Sequence, residues 1–129
     1  NGALLEMLLT QGYRPVLSIP IIDEQGYAIN SENDDIVSIL QETLQADRIV
    51  QLIEAPGFLD DPDDPGSVVN RINANELKDR EEQVEGRMKR KMLALRRLFD
   101  GGAKEVIISD GRTEYPVRDA LAGKGTIIQ

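Results

Sequence analysis

Residues 86–92 (GRMKRKM) contain the clearest candidate for a catalytic side chain, Lys91. At about 100° per residue, a helix here places Met88 and Met92 on one apolar stripe and Lys91 about 60° away from it. A lysine at the border of an apolar face can simply extend its ammonium group into water, which is the simpler interpretation. It can also hold that ammonium in a cleft, where a phosphoryl group in transfer needs positive charge. The periodicity alone favours the first interpretation.

A second polar cluster, residues 30–34 (NSEND), comes directly before a predicted helix. Short polar side chains beside the free backbone amides of a helix N-terminus can bind an anionic or amino-acid ligand. The simpler interpretation is a capping box, in which Ser31 and Asp34 satisfy the helix start themselves. The segment alone favours the capping box.

Two loops provide weaker signals. Residues 53–58 (IEAPGF) follow a predicted buried strand and can place backbone groups against a nucleotide, although any such strand can end in a Pro-Gly turn. Residues 60–66 (DDPDDPG) contain four Asp, but their prolines interrupt the ligand spacing of a calcium loop. Neither GxxxxGKS/T nor GxGxxG occurs, so no Walker or dinucleotide site is predicted.

The composition excludes several classes of chemistry. The 129 residues include no His and no Cys, which removes imidazole bases, thiolate nucleophiles and cysteine-ligated zinc. Catalysis would depend on carboxylates, Lys, Arg, backbone amides or a hard metal ion. A net charge of −8 and only five aromatic residues argue against nucleic-acid partners.

The sequence also bears on location. No apolar run approaches the roughly 20 residues of a membrane span, and no basic, signal-like start is present. A cytoplasmic protein without membrane partners is the simplest expectation. The missing initiator Met suggests that the chain begins inside a longer protein.

Periodicity and turn residues divide the chain into alternating helices and strands. Helices are predicted at residues 3–11, 32–45, 76–99 (broken near Gly86) and 117–121. Strands are predicted at residues 14–19, 48–53, 68–72, 105–109 and 126–128, with a hairpin at 21–29. This alternation predicts an α/β fold with a mainly parallel sheet. Ligands of such sheets bind beyond the carboxyl ends of the strands, here after residues 19, 53 and 109.

Five segments, taken in order, resemble the amino acid kinase family. They are residues 29–34, 46–59, 86–92, 109–112 and 123–128. The resemblance covers essentially the whole chain and is strongest to the acetylglutamate kinase group. Within that group, the GRMKRK sequence at 86–91 indicates the branch that acts on aminoadipate or glutamate linked to an amino-group carrier protein.

The resemblance implies a fold and a reaction. The fold would be a three-layer α/β/α sandwich like that of carbamate kinase, with residues 1–129 as its carboxyl-terminal, nucleotide-binding half and the amino-terminal, substrate-binding half absent. The reaction would be ATP-dependent phosphorylation of the side-chain carboxylate of an N-blocked glutamate or aminoadipate, in arginine or lysine biosynthesis. The carboxylate attacks directly and needs no base, which suits a chain without His. This chain by itself would be inactive.

The resemblance also implies roles for individual residues. Lys91 would stabilise the transferring phosphoryl group, and Asp34 would orient the active-site lysines. Asn30 and Glu32 would bind the amino-acid substrate. The nucleotide would contact Ile53, Glu54, Gly57, Phe58, Gly86, Met88 and Lys89. Mg²⁺ would be bound through the ATP phosphates rather than by a protein metal site. The full-length enzyme would be a homodimer or larger homo-oligomer.

Three positions depart from the family pattern. The family usually has Asn at the position of Glu32, Asp at that of Glu54 and a small hydroxyl residue at that of Ile53. These departures leave the identity of the substrate and the affinity for the nucleotide open. The use of a carrier protein is open as well. An aspartate or uridylate kinase and a non-catalytic α/β regulatory or assembly module are the alternatives.

Overall fold

The structure is a computed structural model that describes residues 1–129 apart from the side chain of Arg87. It contains two compact units, residues 1–45 and residues 46–129. None of the described helices combines the length and hydrophobicity that a membrane span requires.

Residues 1–45 contain two helices and a hairpin. Helix α1 (Gly2–Thr10) is capped by Asn1, whose side chain accepts from the amide of Leu4 at 3.1 Å. Strands β1 (Ile21–Ile22) and β2 (Ala28–Ile29) pair antiparallel, and helix α2 spans Asn33–Leu44. The Asp23 carboxylate accepts from the amides of Gln25 at 2.9 Å and Tyr27 at 2.8 Å, which confirms the predicted turn.

The strand predicted at residues 14–19 is wrong. The structure has neither helix nor strand from residue 13 to residue 20, and Val16 is 93% exposed. A strand forms only where a neighbouring strand completes its hydrogen bonds, and none of the described strands pairs with this segment. Of the described side chains in residues 1–45, Gln41 alone is buried, so no apolar core lies in this part of the chain.

Residues 46–129 form the larger unit around a four-stranded sheet. Its strands are β3 (Ile49–Ile53), β4 (Arg71–Ile72), β5 (Val106–Asp110) and β6 (Thr126–Ile128), in the order β3-β5-β6-β4. Two of the three pairings are parallel and the β5–β6 pairing is antiparallel. The predicted mainly parallel sheet is confirmed. Residues 106–109 are all buried, as is typical of a central strand covered on both faces.

Three helices belong to the same unit. They are α3 (Leu77–Gln83), α4 (Gly86–Asp100) and α5 (Pro116–Leu121), with a 3-10 turn at Ala74–Glu76 before α3. The predicted break near Gly86 is confirmed, because α3 ends at Gln83 and α4 begins at Gly86. Met92, Leu95 and Leu98 are buried on α4, as expected for an apolar face in the core.

The turn into β6 depends on Gly125. Its φ is +110°, and a Cβ atom at this position would lie 2.2 Å from the carbonyl oxygen of Ile108. Gly123, two residues earlier, has a φ of +89°, but a Cβ atom there would meet nothing within 4 Å. An alanine at position 123 would therefore introduce backbone strain alone, whereas an alanine at position 125 would add a steric overlap to that strain.

We expect Gly125→Ala to lower the free energy of unfolding by at least about 3 kcal/mol, because strain and overlap act together. Gly123→Ala should lose only about 1 kcal/mol, the usual penalty for a side chain at positive φ. Urea denaturation of both variants provides the comparison. Equal losses for the two variants would contradict the assigned role of Gly125.

Candidate functional site

Two adjoining clefts open where the chain leaves the carboxyl end of β3. The smaller, of about 220 Å³, is lined by six residues between 53 and 62 and by Met88 and Lys91 of α4. The larger, of about 430 Å³, shares Phe58, Leu59, Pro62 and Met88 with it. The position is the one where ligands of parallel α/β sheets bind.

Lys91 is the only ionisable residue among the eight that line the smaller cleft. Its side chain is half-buried, and no described carboxylate lies within 4 Å of its ammonium group. The other lining residues are apolar or glycine. An apolar cleft with one cation matches a ligand that combines a flat apolar ring with an anionic group. Lys91 therefore lines a cleft, as the second interpretation requires, and its role toward a phosphoryl group stays a prediction.

The chain after β3 is held in place at Gly57 and Phe58. The amide of Phe58 donates to Thr126 Oγ1 at 2.8 Å, and its carbonyl accepts from the amide of Val69 at 2.8 Å. Gly57 is buried, and a Cβ atom there would lie 2.9 Å from Thr126 Oγ1 and 3.0 Å from Val68 Cγ1. Only a glycine fits this close approach to β6 without displacing its neighbours.

The structure brings five of the predicted site residues together. The smaller cleft contains Ile53, Gly57, Phe58, Met88 and Lys91. Their roles toward a nucleotide stay predictions, but their proximity is a feature of the fold.

Three other predicted nucleotide contacts lie outside both clefts. Glu54 is exposed, and its charge acts on Arg112 instead. Gly86 begins α4, and Lys89 is an exposed residue in the first turn of that helix.

The residues predicted for the amino-acid substrate belong to residues 1–45. Asn30 follows β2, Glu32 is the N-cap of α2, and Asp34 lies in its first turn, all three exposed. The capping box expected from Ser31 and Asp34 is wrong, because Ser31 precedes the N-cap by one residue and the cap makes no side-chain hydrogen bond. Asp34 and Asp35 instead place negative charge near the positive end of the helix dipole.

An ion pair at the end of β5 was not among the predicted site residues. Asp110 pairs in register with Ile53, and the amide of Gly111 donates to the carbonyl of Ile53 at 2.8 Å. The Asp110 carboxylate accepts from Nε and Nη2 of Arg112, both at 2.8 Å. These side-chain bonds and one from the Arg112 amide lower the pKa of Asp110 to about 2.

The sequence contains a signal for several of the residues that were missed. Asp110, Arg112 and Thr126 all lie in segments that carry the family resemblance, next to buried strands. Ala55, Leu59 and Pro62, which also line the smaller cleft, are ordinary apolar residues without such a signal. Among the described residues, no group of three or more carboxylates is close enough to hold a metal ion.

A sequence profile of the amino acid kinase family matches residues 1–110. The chain therefore belongs to the amino acid kinase family, which confirms the resemblance.

Among its relatives are the LysW-aminoadipate kinases of Thermus thermophilus, 38% identical over 131 residues, and Deinococcus radiodurans, 37% identical over 125 residues. The acetylglutamate kinase of Methanopyrus kandleri is 32% identical over 131 residues. These matches cover 100%, 97% and 100% of this chain but 49%, 43% and 51% of the relatives. The chain spans about half the length of the curated relatives it matches.

Solved structures of this fold match nearly the whole chain. N-acetylglutamate synthase of Neisseria gonorrhoeae, complexed with coenzyme A and L-arginine, has a TM-score of 0.82 at 22% identity over 99% of this chain and 30% of that protein. Carbamate kinase of Giardia lamblia has a TM-score of 0.73 at 17% identity over 98% of this chain and 42% of that protein. At these identities the likeness shows the fold alone, and it confirms the predicted carbamate-kinase-like α/β class.

The ion pair of Asp110 predicts a specific acid titration. Because its folded-state pKa of about 2 is below the ordinary 3.8, the carboxylate stabilises the fold above pH 3.8, and this contribution is lost as the pH falls toward 2. We expect Arg112→Ala to raise the pKa of Asp110 toward 3.8, as followed by carbon NMR of the carboxyl group.

Lys104→Ala is the matched control for this titration. Lys104 lowers the pKa of Asp47 by a bond of 2.6 Å, so its removal should raise the pKa of Asp47 and leave that of Asp110 unchanged. An Asp110 carboxyl that titrates alike with and without Arg112 would refute the assignment.

Proposed function

We propose that residues 1–129 are the carboxyl-terminal, nucleotide-binding half of a kinase that phosphorylates the side-chain carboxylate of an N-blocked glutamate or aminoadipate. A carboxylate oxygen would attack the γ-phosphorus of ATP, the bond from that phosphorus to the bridging oxygen would break, and ADP would leave. The products are an acyl phosphate and ADP. The observation that carries this proposal is the single cation, Lys91, in an apolar cleft that contains four other residues predicted for the nucleotide.

The cleft chemistry suits the two ends of ATP. The apolar walls formed by Ile53, Phe58 and Met88 fit a purine ring. Transfer of the apolar surface of the ring from water into the cleft would favour binding. The ammonium group of Lys91 fits the phosphates, whose charge it would balance as the phosphoryl group transfers. Mg²⁺ would enter with the nucleotide, bound to its phosphates.

Catalysis by placed charge needs no proton acceptor from this chain. The attacking carboxylate is already ionised near neutral pH, so the reaction requires stabilisation of negative charge rather than a base. The absence of His and Cys is therefore compatible with this chemistry.

The start of α2 supplies the proposed substrate contacts. Asn30 and Glu32 would bind the amino-acid substrate, and Asp34 would orient the active-site lysines through charge-assisted hydrogen bonds. Their exposure in residues 1–45 leaves them accessible for these roles.

The substrate class follows from the names of the relatives, which are LysW-aminoadipate kinases and acetylglutamate kinases. Either a free small molecule or a carrier-protein-linked amino acid fits them, in lysine or arginine biosynthesis in the cytoplasm. The full-length enzyme would be a homodimer or larger homo-oligomer. Because this chain spans about half the length of these relatives, we propose that it binds ATP weakly and catalyses nothing alone.

Lys91→Ala should weaken binding of MgATP to the 129-residue chain about tenfold or more, since a hydrogen bond to a charged group contributes about 1.5–3 kcal/mol. Isothermal titration calorimetry measures the dissociation constants of both proteins. Circular dichroism should show the same helix content in each.

Lys78→Ala is the matched control. Lys78 is an exposed lysine of α3 that lines neither cleft, so its removal makes the same change in net charge. If both substitutions weaken MgATP binding equally, Lys91 contributes only general positive charge and not a specific contact. No binding of MgATP, by this chain or by a full-length enzyme containing it, would favour the non-catalytic α/β module.

A further inference from the structure

Thr126 is a buried polar residue at the start of β6 that the proposed reaction does not use. Its side chain is fully buried, and its hydroxyl oxygen accepts from the amide of Phe58, 68 residues earlier in the chain, at 2.8 Å. Residue 126 also lies outside the residues 1–110 that match the family profile. The contact joins the cleft to a strand in another part of the sequence.

Phe58 is the aromatic residue shared by the two clefts. Its carbonyl is fixed by the amide of Val69, next to the bridge between Leu59 and Val68, and its amide is fixed by Thr126. Hydrogen bonds therefore hold the peptide groups before and after Phe58 to two other parts of the chain. Together they fix the backbone from which the Phe58 ring extends.

We propose that Thr126 is a positioning residue that sets Phe58 in the nucleotide-binding geometry. The inference rests on the proposed function for its ligand, but the geometry is independent of it. The Thr126 hydroxyl touches neither cleft in this arrangement, so it acts through the Phe58 backbone and not by contact with nucleotide.

The local sequence supports such a role. Gly125 brings β6 close to β5, and Gly57 lets the chain pass close to Thr126, since a Cβ atom on Gly57 would lie only 2.9 Å from the hydroxyl oxygen. A valine at 126 has nearly the same shape but no acceptor, and it would leave the partly buried Phe58 amide without its bond. A serine keeps the acceptor and loses a methyl group.

The test compares Thr126→Val with Thr126→Ser in the 129-residue chain. We expect Thr126→Val to weaken MgATP binding about tenfold by calorimetry, because the unpaired amide releases Phe58 from its position. Thr126→Ser should bind within about twofold of the original chain, since it restores the hydrogen bond. Hydrogen exchange of the Phe58 amide, measured by NMR, should accelerate in the valine variant and stay slow in the serine variant.

Ile128→Val is the control for a loss of stability alone. It shortens another fully buried side chain of β6 that lines neither cleft, so it should lower the free energy of unfolding and leave the MgATP dissociation constant unchanged. Weakening by Ile128→Val as large as that by Thr126→Val would overturn the proposal.

Normal binding and a protected Phe58 amide in Thr126→Val would also overturn it, as would a serine variant as weak as the valine variant. If neither this chain nor a full-length enzyme containing it binds MgATP, the proposed function fails and the role of Thr126 in binding fails with it. Loss of Phe58 protection in the valine variant alone would then still support the backbone anchor.

Discussion

The parallel register of β3 against β5 is the constraint on which the candidate site depends. It runs from Ile49 opposite Val106 to Ile53 opposite Asp110, so both strands end at the same edge of the sheet. The segment that lines the clefts follows β3, and the ion pair between Asp110 and Arg112 lies at the end of β5. Ion pairs of Arg48 with Glu105 and of Lys104 with Asp47 join the opposite ends of the two strands. A shift of one residue would reverse the faces of every side chain on β3 and dismantle this edge.

Two more elements complete the site from that edge. Helix α4 buries Met92, Leu95 and Leu98, which fixes its rotation and presents Met88 and Lys91 toward the segment after β3. Strand β6 supplies the hydroxyl of Thr126, which accepts a hydrogen bond from the Phe58 amide of this segment. The net charge of −8 is therefore a poor guide to the site, because the smaller cleft contains one cation and no acid.

Elements with strong local signals could be predicted from the sequence. Helices α2 and α4 have clear apolar faces, and β3, β5 and β6 are apolar runs bounded by turn residues, so their positions are confirmed to within a few residues. Residues 14–19 have the same apolar character but no pairing strand, and periodicity carries no information about partners. The N-cap of α2 is Glu32 and not the predicted Ser31. Because Glu32 makes no side-chain capping bond, no capping signal in the sequence marks this position. The bond from Phe58 to Thr126 spans 68 residues and has no local signature at all.

The nucleotide is proposed to bind between the segment after β3 and helix α4. The chain has three methionines, of which Met88 lines both clefts, Met92 lines the larger one, and Met7 lies on α1. Carbon-labelled methionine methyl groups, assigned with Met88→Leu, can be followed by NMR during titration with MgATP. We expect the Met88 signal to shift saturably while the Met7 signal stays in place. A Met88 signal that does not move, or one that moves no more than that of Met7, would contradict the account.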